Sequence, residues 1–134
     1  MALAYEQMYE VWREQGPGPV QEVVSSIILG PGQWDDWYAK WAATGIEQLT
    51  PAFRCLMDRD DITGRLGEIG CPALIVRGSA DAAIPLAKAE ELRDGLAGPA
   101  RLVVIDGGPH ASNVSHPAEV SAEMATFLRE LDRT

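Results

Sequence analysis

Hydrophobic positions follow two regimes along the chain. Up to about residue 65 they recur at helical spacing, whereas beyond it two short continuous apolar runs alternate with helical stretches. Val20, Val23, Val24, Ile27 and Ile28 stand at i, i+3, i+4, i+7 and i+8, which predicts one apolar helix face, closed by Gly30-Pro31-Gly32. An earlier helix over 3–14 is interrupted at Gly16-Pro17-Gly18-Pro19, because proline cannot continue the hydrogen-bond ladder. Trp34, Trp37 and Trp41, with Tyr38 beside them, line one side of a third helix that ends near Gly45. Pro51, Phe53, Leu56 and Met57 suggest a short fourth, and Leu66 and Ile69 anchor the approach to the first apolar run. The change of regime falls near the charge cluster Asp58-Arg59-Asp60-Asp61, so a helical region over 1–65 and an alternating segment over 66–134 are expected.

In the second segment, Leu74-Ile75-Val76 and Leu102-Val103-Val104 are apolar, rich in β-branched residues and bounded by turn residues. That is how strands of a parallel sheet, buried on both faces, look in sequence. Between them, Pro85 opens a helix whose Leu86, Ala89, Leu92 and Leu96 are expected to face inward; its length suits a crossover between parallel strands. A last helix starts near Pro117, which the first helical position tolerates, with Glu119 in the turn where the helix dipole favours a carboxylate. Val120, Met124, Phe127, Leu128 and Leu131 give it an apolar stripe. The fold class is therefore α/β, and two strands alone are marginal: they expect neighbours.

Chemistry gathers just past the ends of these strands. Asp81 follows the first run in Gly78-Ser79-Ala80-Asp81-Ala82-Ala83-Ile84-Pro85, and His110 follows the second in Gly107-Gly108-Pro109-His110. Open α/β sheets place ligands at the carboxyl ends of their strands. A neutral imidazole that must accept a proton is served by a carboxylate on its other ring nitrogen, which fixes the tautomer. Taken singly, a loop aspartate is usually a turn former and a histidine an ordinary surface residue; their matched positions make the pair the candidate. Asp106, four residues before His110, is a competing acid that the tight Gly107-Gly108-Pro109 loop disfavours, and His116 reads as a helix-start capping or surface residue.

The Gly-x-x-Asp-x-x-x-Pro pattern of Gly78, Asp81 and Pro85, followed by a strand and His110, resembles the C-terminal part of the α/β-hydrolase family, whose chain order is nucleophile, acid, base. The run from Pro109 through Val114 into His116-Pro117-Ala118-Glu119 is most similar to the small carboxylic-ester and lactone hydrolases, including enol-lactonase-like members. The resemblance implies a partial fold, with a helical cap over 1–65 followed by the last two parallel strands and helices of the hydrolase core. It implies Asp81 and His110 as two members of a Ser-Asp-His triad; the Trp34, Trp37 and Trp41 stripe either packs its helix onto neighbours or forms an apolar wall over the substrate, and the resemblance adds weight to the second without deciding between them. No Gly-x-Ser-x-Gly occurs, so the nucleophile and its oxyanion hole are expected in an N-terminal half that these residues lack.

Charge and cysteines remove other classes. Lys plus Arg number 11 against 20 Asp plus Glu, a net charge of −9 that repels nucleic acid and anionic membranes. No leader-like start or spanning run is read, so a cytoplasmic protein is expected. Cys55 and Cys71 lack metal-ligand spacing and read as reduced core or boundary residues; no metal, phosphate-loop or dinucleotide signature is present, so no cofactor is expected. The expected partners are a small apolar ester or lactone, together with either the missing N-terminal half or a second copy joined through an exposed strand edge. The alternative function is a noncatalytic module binding a small molecule or a protein through the tryptophan-lined region.

Overall fold

A computed structural model describes residues 2–133, with side chains from residue 5 onward. They divide into two compact units, one running through residue 26 and again from 31 to 60, the other taking 27–30 and the residues from 61 on.

The first unit is helical: α1 (Ala2–Gln15), most of α2 (Gln21–Ile28), α3 (Asp35–Ala43) and α4 (Ile46–Met57). Helix α1 stops at Gly16, whose φ of +77° suits glycine and whose N–H returns to the Trp12 carbonyl at 2.9 Å. Tyr9 ties α1 to α4. Its ring stacks on Phe53 with centroids 4.2 Å apart, and its hydroxyl lies 2.8 Å from Thr50 Oγ1. Thr50 donates its own proton to the Ile46 carbonyl, so Tyr9 is the donor of that pair. Helix α4 is longer than the expected short element and carries Pro51 inside it. Its half-buried face is Ile46, Leu49, Thr50, Phe53 and Met57, at i, i+3, i+4, i+7 and i+11, which turns Leu56 and Cys55 to solvent.

Two expectations are corrected here. The apolar face read for the second helix is rotated: Val20 is buried but Val23 is exposed, and Ser25 points inward instead. A serine can be buried there because its hydroxyl donates to the Glu22 carbonyl at 3.0 Å and pairs with the Tyr38 hydroxyl at 2.8 Å. Neither cysteine lies in the core, since Cys55 is on the outer face of α4 and Cys71 in the turn before the first strand, both exposed and unpaired.

The second unit contains a 3-10 helix (Thr63–Glu68), β1 (Ala73–Gly78), α5 (Leu86–Gly95), β2 (Ala100–Ile105), the single-turn α6 (Ser112–Ser115) and α7 (Pro117–Leu131). The strands run parallel, in register from Ala73 opposite Ala100 to Gly78 opposite Ile105. Leu29, Leu66, Ala89, Ile105 and Val120 are its buried apolar residues. Burial on both faces of the strands is not seen: their residues are mostly half-buried, and Val104 is exposed. Leu86 and Leu92 of α5 and Met124 and Leu128 of α7 are also open to solvent. The reason is geometric. The sheet described has two strands, so each has one unpaired edge, and the helices meet a narrow surface that covers only part of their apolar stripes. Among the described residues no helix is long and apolar enough to cross a membrane.

Candidate active site

Parallel pairing in register brings the carboxyl ends of β1 and β2 side by side, so the loops after Gly78 and Ile105 start as neighbours. Ser79 N–H extends the ladder to the Ile105 carbonyl at 2.8 Å, and Ala80 N–H reaches the Gly108 carbonyl at 2.9 Å. The approach is so close that a Cβ on Gly78 would overlap the Gly108 carbonyl, and one on Gly108 would press on Ser112 Oγ at 2.8 Å. Gly107, with φ of +68°, makes the turn between them. Ser79 stitches the loops further: its Oγ accepts the Gly107 N–H at 2.7 Å and lies 3.4 Å from Asp106 Oδ1.

On this base Asp81 and His110 meet. Asp81 Oδ2 lies 3.0 Å from His110 Nδ1. An ionised carboxylate only accepts, so Nδ1 carries the proton and, in the neutral ring, Nε2 is the free basic nitrogen. The other carboxylate oxygen, Oδ1, accepts the N–H groups of Ala83 at 2.8 Å and Ile84 at 2.9 Å. The Asp81 side chain is only 5% exposed, that of His110 38%. Burial pushes the Asp81 carboxyl up, but the Ile84 amide, His110 and the Ala83 amide together outweigh it and hold the group below the ordinary carboxylate range.

The histidine loop is held from behind by the stub 27–30 of the same unit. Ala111 N–H donates to the Ile28 carbonyl at 2.7 Å, and Gly30, at φ +77°, lets the Pro109 ring lie where a Cβ would come within 3.0 Å. Ser112, buried, donates to the Pro109 carbonyl at 2.6 Å.

The competing residues are placed elsewhere. Asp106 faces Ser79 rather than His110. His116 stands at the N-cap position of α7 but makes no capping bond with its side chain; its Nδ1 lies 2.8 Å from Ser115 Oγ. In the first unit, Trp34 precedes α3, and its ring lies over Gly32 where a Cβ would come within 2.9 Å. Trp34 and Trp37 line a cleft of about 350 Å³ with Asp35, Asp36 and Lys40, the ammonium of Lys40 sitting 4.7 Å from the Trp37 ring centre. Trp41 packs within the unit, 5.9 Å from Trp12 and 6.2 Å from Trp37. Among the described residues no group of three or more His, Cys, Asp or Glu is placed to hold a metal ion.

One participant escaped the reading of the sequence. Arg77, at the end of β1, donates to the carbonyls of Gly78, Asp81 and Ile84. The available signal was a charged residue closing an otherwise apolar strand run, Leu74-Ile75-Val76-Arg77.

Comparison with known proteins covers the same segment. Residues 58–133 match the model of the TAP-like protein family of α/β-hydrolases. The protein named as carbamate hydrolase RutD of Agrobacterium fabrum is 36% identical over 74 residues, 55% of this chain and 28% of that relative. Its namesake from Rhizobium rhizogenes is 39% identical over 69 residues, 52% of this chain and 26% of the relative. Epoxide hydrolase A of Mycobacterium tuberculosis is 32% identical over 72 residues, 54% of this chain and 22% of the relative. The chain thus spans about a quarter of the length of these relatives. A family match over more than half of the chain coincides with the segment that carries the parallel strands and the Asp81–His110 contact, and the chain belongs to the α/β-hydrolase family.

Proposed function

We propose that this chain carries the acid and base of a Ser-Asp-His triad, in a hydrolase that cleaves a carboxylic ester, thioester or lactone by acyl transfer. His110 takes the proton of the attacking hydroxyl at Nε2 and returns it to the leaving group; Asp81 orients the ring and stabilises the imidazolium. The observation that carries this reading is the 3.0 Å contact of a buried carboxylate with Nδ1 of a ring that is partly exposed.

The attacking serine comes from outside these residues. Supporting this, Gly-x-Ser-x-Gly is missing from the sequence, Ser79 and Ser112 spend their hydroxyls on loop bonds, and Ser115 pairs with His116. The relatives' names span carbamate and epoxide hydrolysis, and a carbamate offers a carbonyl carbon of the kind that an acyl transfer attacks. Trp34 and Trp37, with Trp41 beside Trp37, offer aromatic surface suited to an apolar part of the substrate. The same aromatic surface is the basis of the second reading, a noncatalytic module that binds a small molecule or a protein.

Hydrolysis of activated short-chain esters tests the proposal. In a protein that joins this chain to a nucleophile-bearing segment, His110→Ala lowers kcat by about 10⁴ or more. The chain of 134 residues alone shows negligible turnover. Clear turnover by the chain alone that His110→Ala abolishes would place the nucleophile among these residues. Ester binding without turnover in either protein would favour the binding module.

A further inference from the structure

The loop after β1 has a divided polarity. Its N–H groups at Ala83 and Ile84 converge on Asp81 Oδ1, while its carbonyls at Gly78, Asp81 and Ile84 turn to one side chain, that of Arg77. Nη1 donates to Gly78 O at 2.7 Å; Nη2 donates to Asp81 O at 3.3 Å and Ile84 O at 3.2 Å, with Nε 3.4 Å from the same Ile84 oxygen. Ile84 is therefore held at both ends, its N–H by the carboxylate and its carbonyl by the guanidinium. Arg77 is half-buried, and no carboxylate is paired with it among the hydrogen bonds and ion pairs of the described residues. Its planar fork serves main-chain oxygens instead, a task for which an ammonium is too small.

From this arrangement we infer that Arg77 is a positioning residue for the Asp81–His110 pair. It holds the loop carbonyls outward so that the loop amides stay aimed at Asp81 Oδ1, which leaves Oδ2 as the face presented to His110 Nδ1. The inference rests on the proposed catalytic reading of that pair and adds a residue that touches neither the ring nor the reacting atoms.

The test uses the ¹⁵N-labelled chain of 134 residues and long-range proton–nitrogen correlations of the imidazole, read well above the ordinary imidazole range of about 6.5. The wild type is expected to show the tautomer protonated at Nδ1. Arg77→Ala frees the carbonyls and is expected to give a mixture of the two tautomers. Arg77→Lys keeps the charge and reaches one carbonyl at a time, so it folds and still loosens the loop. In it, amide exchange at Ala83 and Ile84 rises by about tenfold, while that at Val103, whose N–H points across the ladder to β1, is unchanged. If Arg77→Lys retains the wild-type tautomer and the wild-type exchange at Ala83 and Ile84, the inference is wrong. Asp81→Asn separates the two ideas. Should it leave the His110 tautomer unaltered, the pair itself is not a functional unit; should it invert the tautomer while both Arg77 variants do nothing, only the role of Arg77 falls.

Discussion

Asp81→Asn is the sharpest probe of the pair, because the loop dictates which way the new amide turns. Asp81 Oδ1 accepts two backbone N–H groups and Oδ2 faces His110 Nδ1. Asparagine keeps the first pair of bonds only if its oxygen takes the Oδ1 position, which puts the NH₂ group 3.0 Å from Nδ1. The imidazole must then accept at Nδ1 and carry its proton on Nε2. The flipped amide would set NH₂ against the amides of Ala83 and Ile84, leaving two part-buried donors unpaired at about 1–3 kcal/mol each. Even the lower end, about 2 kcal/mol in total, favours the first orientation roughly thirtyfold. The substitution therefore preserves the shape and inverts the tautomer, and a base protonated at Nε2 cannot take a proton from a hydroxyl. In a complete enzyme the expected loss is about 10⁴ in kcat, with substrate binding little changed. Nitrogen shifts of the two ring nitrogens decide it, and with only two histidines in the chain a His116→Ala sample completes the assignment. A wild type protonated at Nε2, or an Asp81→Asn variant still protonated at Nδ1, would refute the reasoning.

Three further outcomes are expected. Because the Asp81 carboxyl is held below its ordinary range in the folded state, its contribution is fully present above the unfolded value of about 3.9 and is lost as pH falls through the lowered folded value; the stability difference between wild type and Asp81→Asn, from denaturant titrations, should be retained down to about pH 4 and shrink below it. A difference that vanished already near pH 6 would contradict this. Gly78→Ala drives a Cβ into the Gly108 carbonyl and should cost about 3 kcal/mol or prevent folding, whereas Gly64→Ala, with open space around it, should be nearly neutral by the same titration. Finally, unpaired strand edges and exposed Val104, Met124 and Leu128 should make the chain self-associate and bind an apolar dye, and Leu128→Glu should lessen both; a monodisperse wild type at high concentration in light scattering, with no dye binding, would refute it.

The longer helices and both strands were legible because each is a local pattern, whereas the single-turn α6 and the 3-10 helix were not read. Gly16-Pro17-Gly18-Pro19 interrupts a ladder wherever it occurs, and two β-branched runs joined by a helix-length connection allow little but a parallel pair. Which face of a helix turns inward is a tertiary matter. Val20, Val23 and Val24 fit one stripe by spacing, yet Ser25 is buried because Tyr38, thirteen residues away, supplies a partner for its hydroxyl. The open stripes of α5 and α7 follow from the width of the sheet, and a count of apolar residues along a helix carries no information about that width.

Asp81 and His110 were legible for a different reason: register converts matched positions after two strands into proximity in space. Gly78 opposite Ile105 fixes where both loops begin, and from there three residues on one side and five on the other bring carboxylate and ring together. What converts proximity into a defined contact was not legible, because nearly every bond that does it ends on the main chain. Ala80 N–H finds the Gly108 carbonyl, Ala111 N–H finds Ile28, and Arg77 finds three carbonyls whose side chains are incidental. Side-chain identity at such acceptor positions leaves no trace of the bond. One trace is steric: Gly78 and Gly108 must lack a Cβ for the loops to approach so closely, and the charge of Arg77 at the end of an apolar run is another. Orientation of the carboxylate is thus a property of loop conformation, and substitutions that move the loop should act on the imidazole tautomer without touching either side chain.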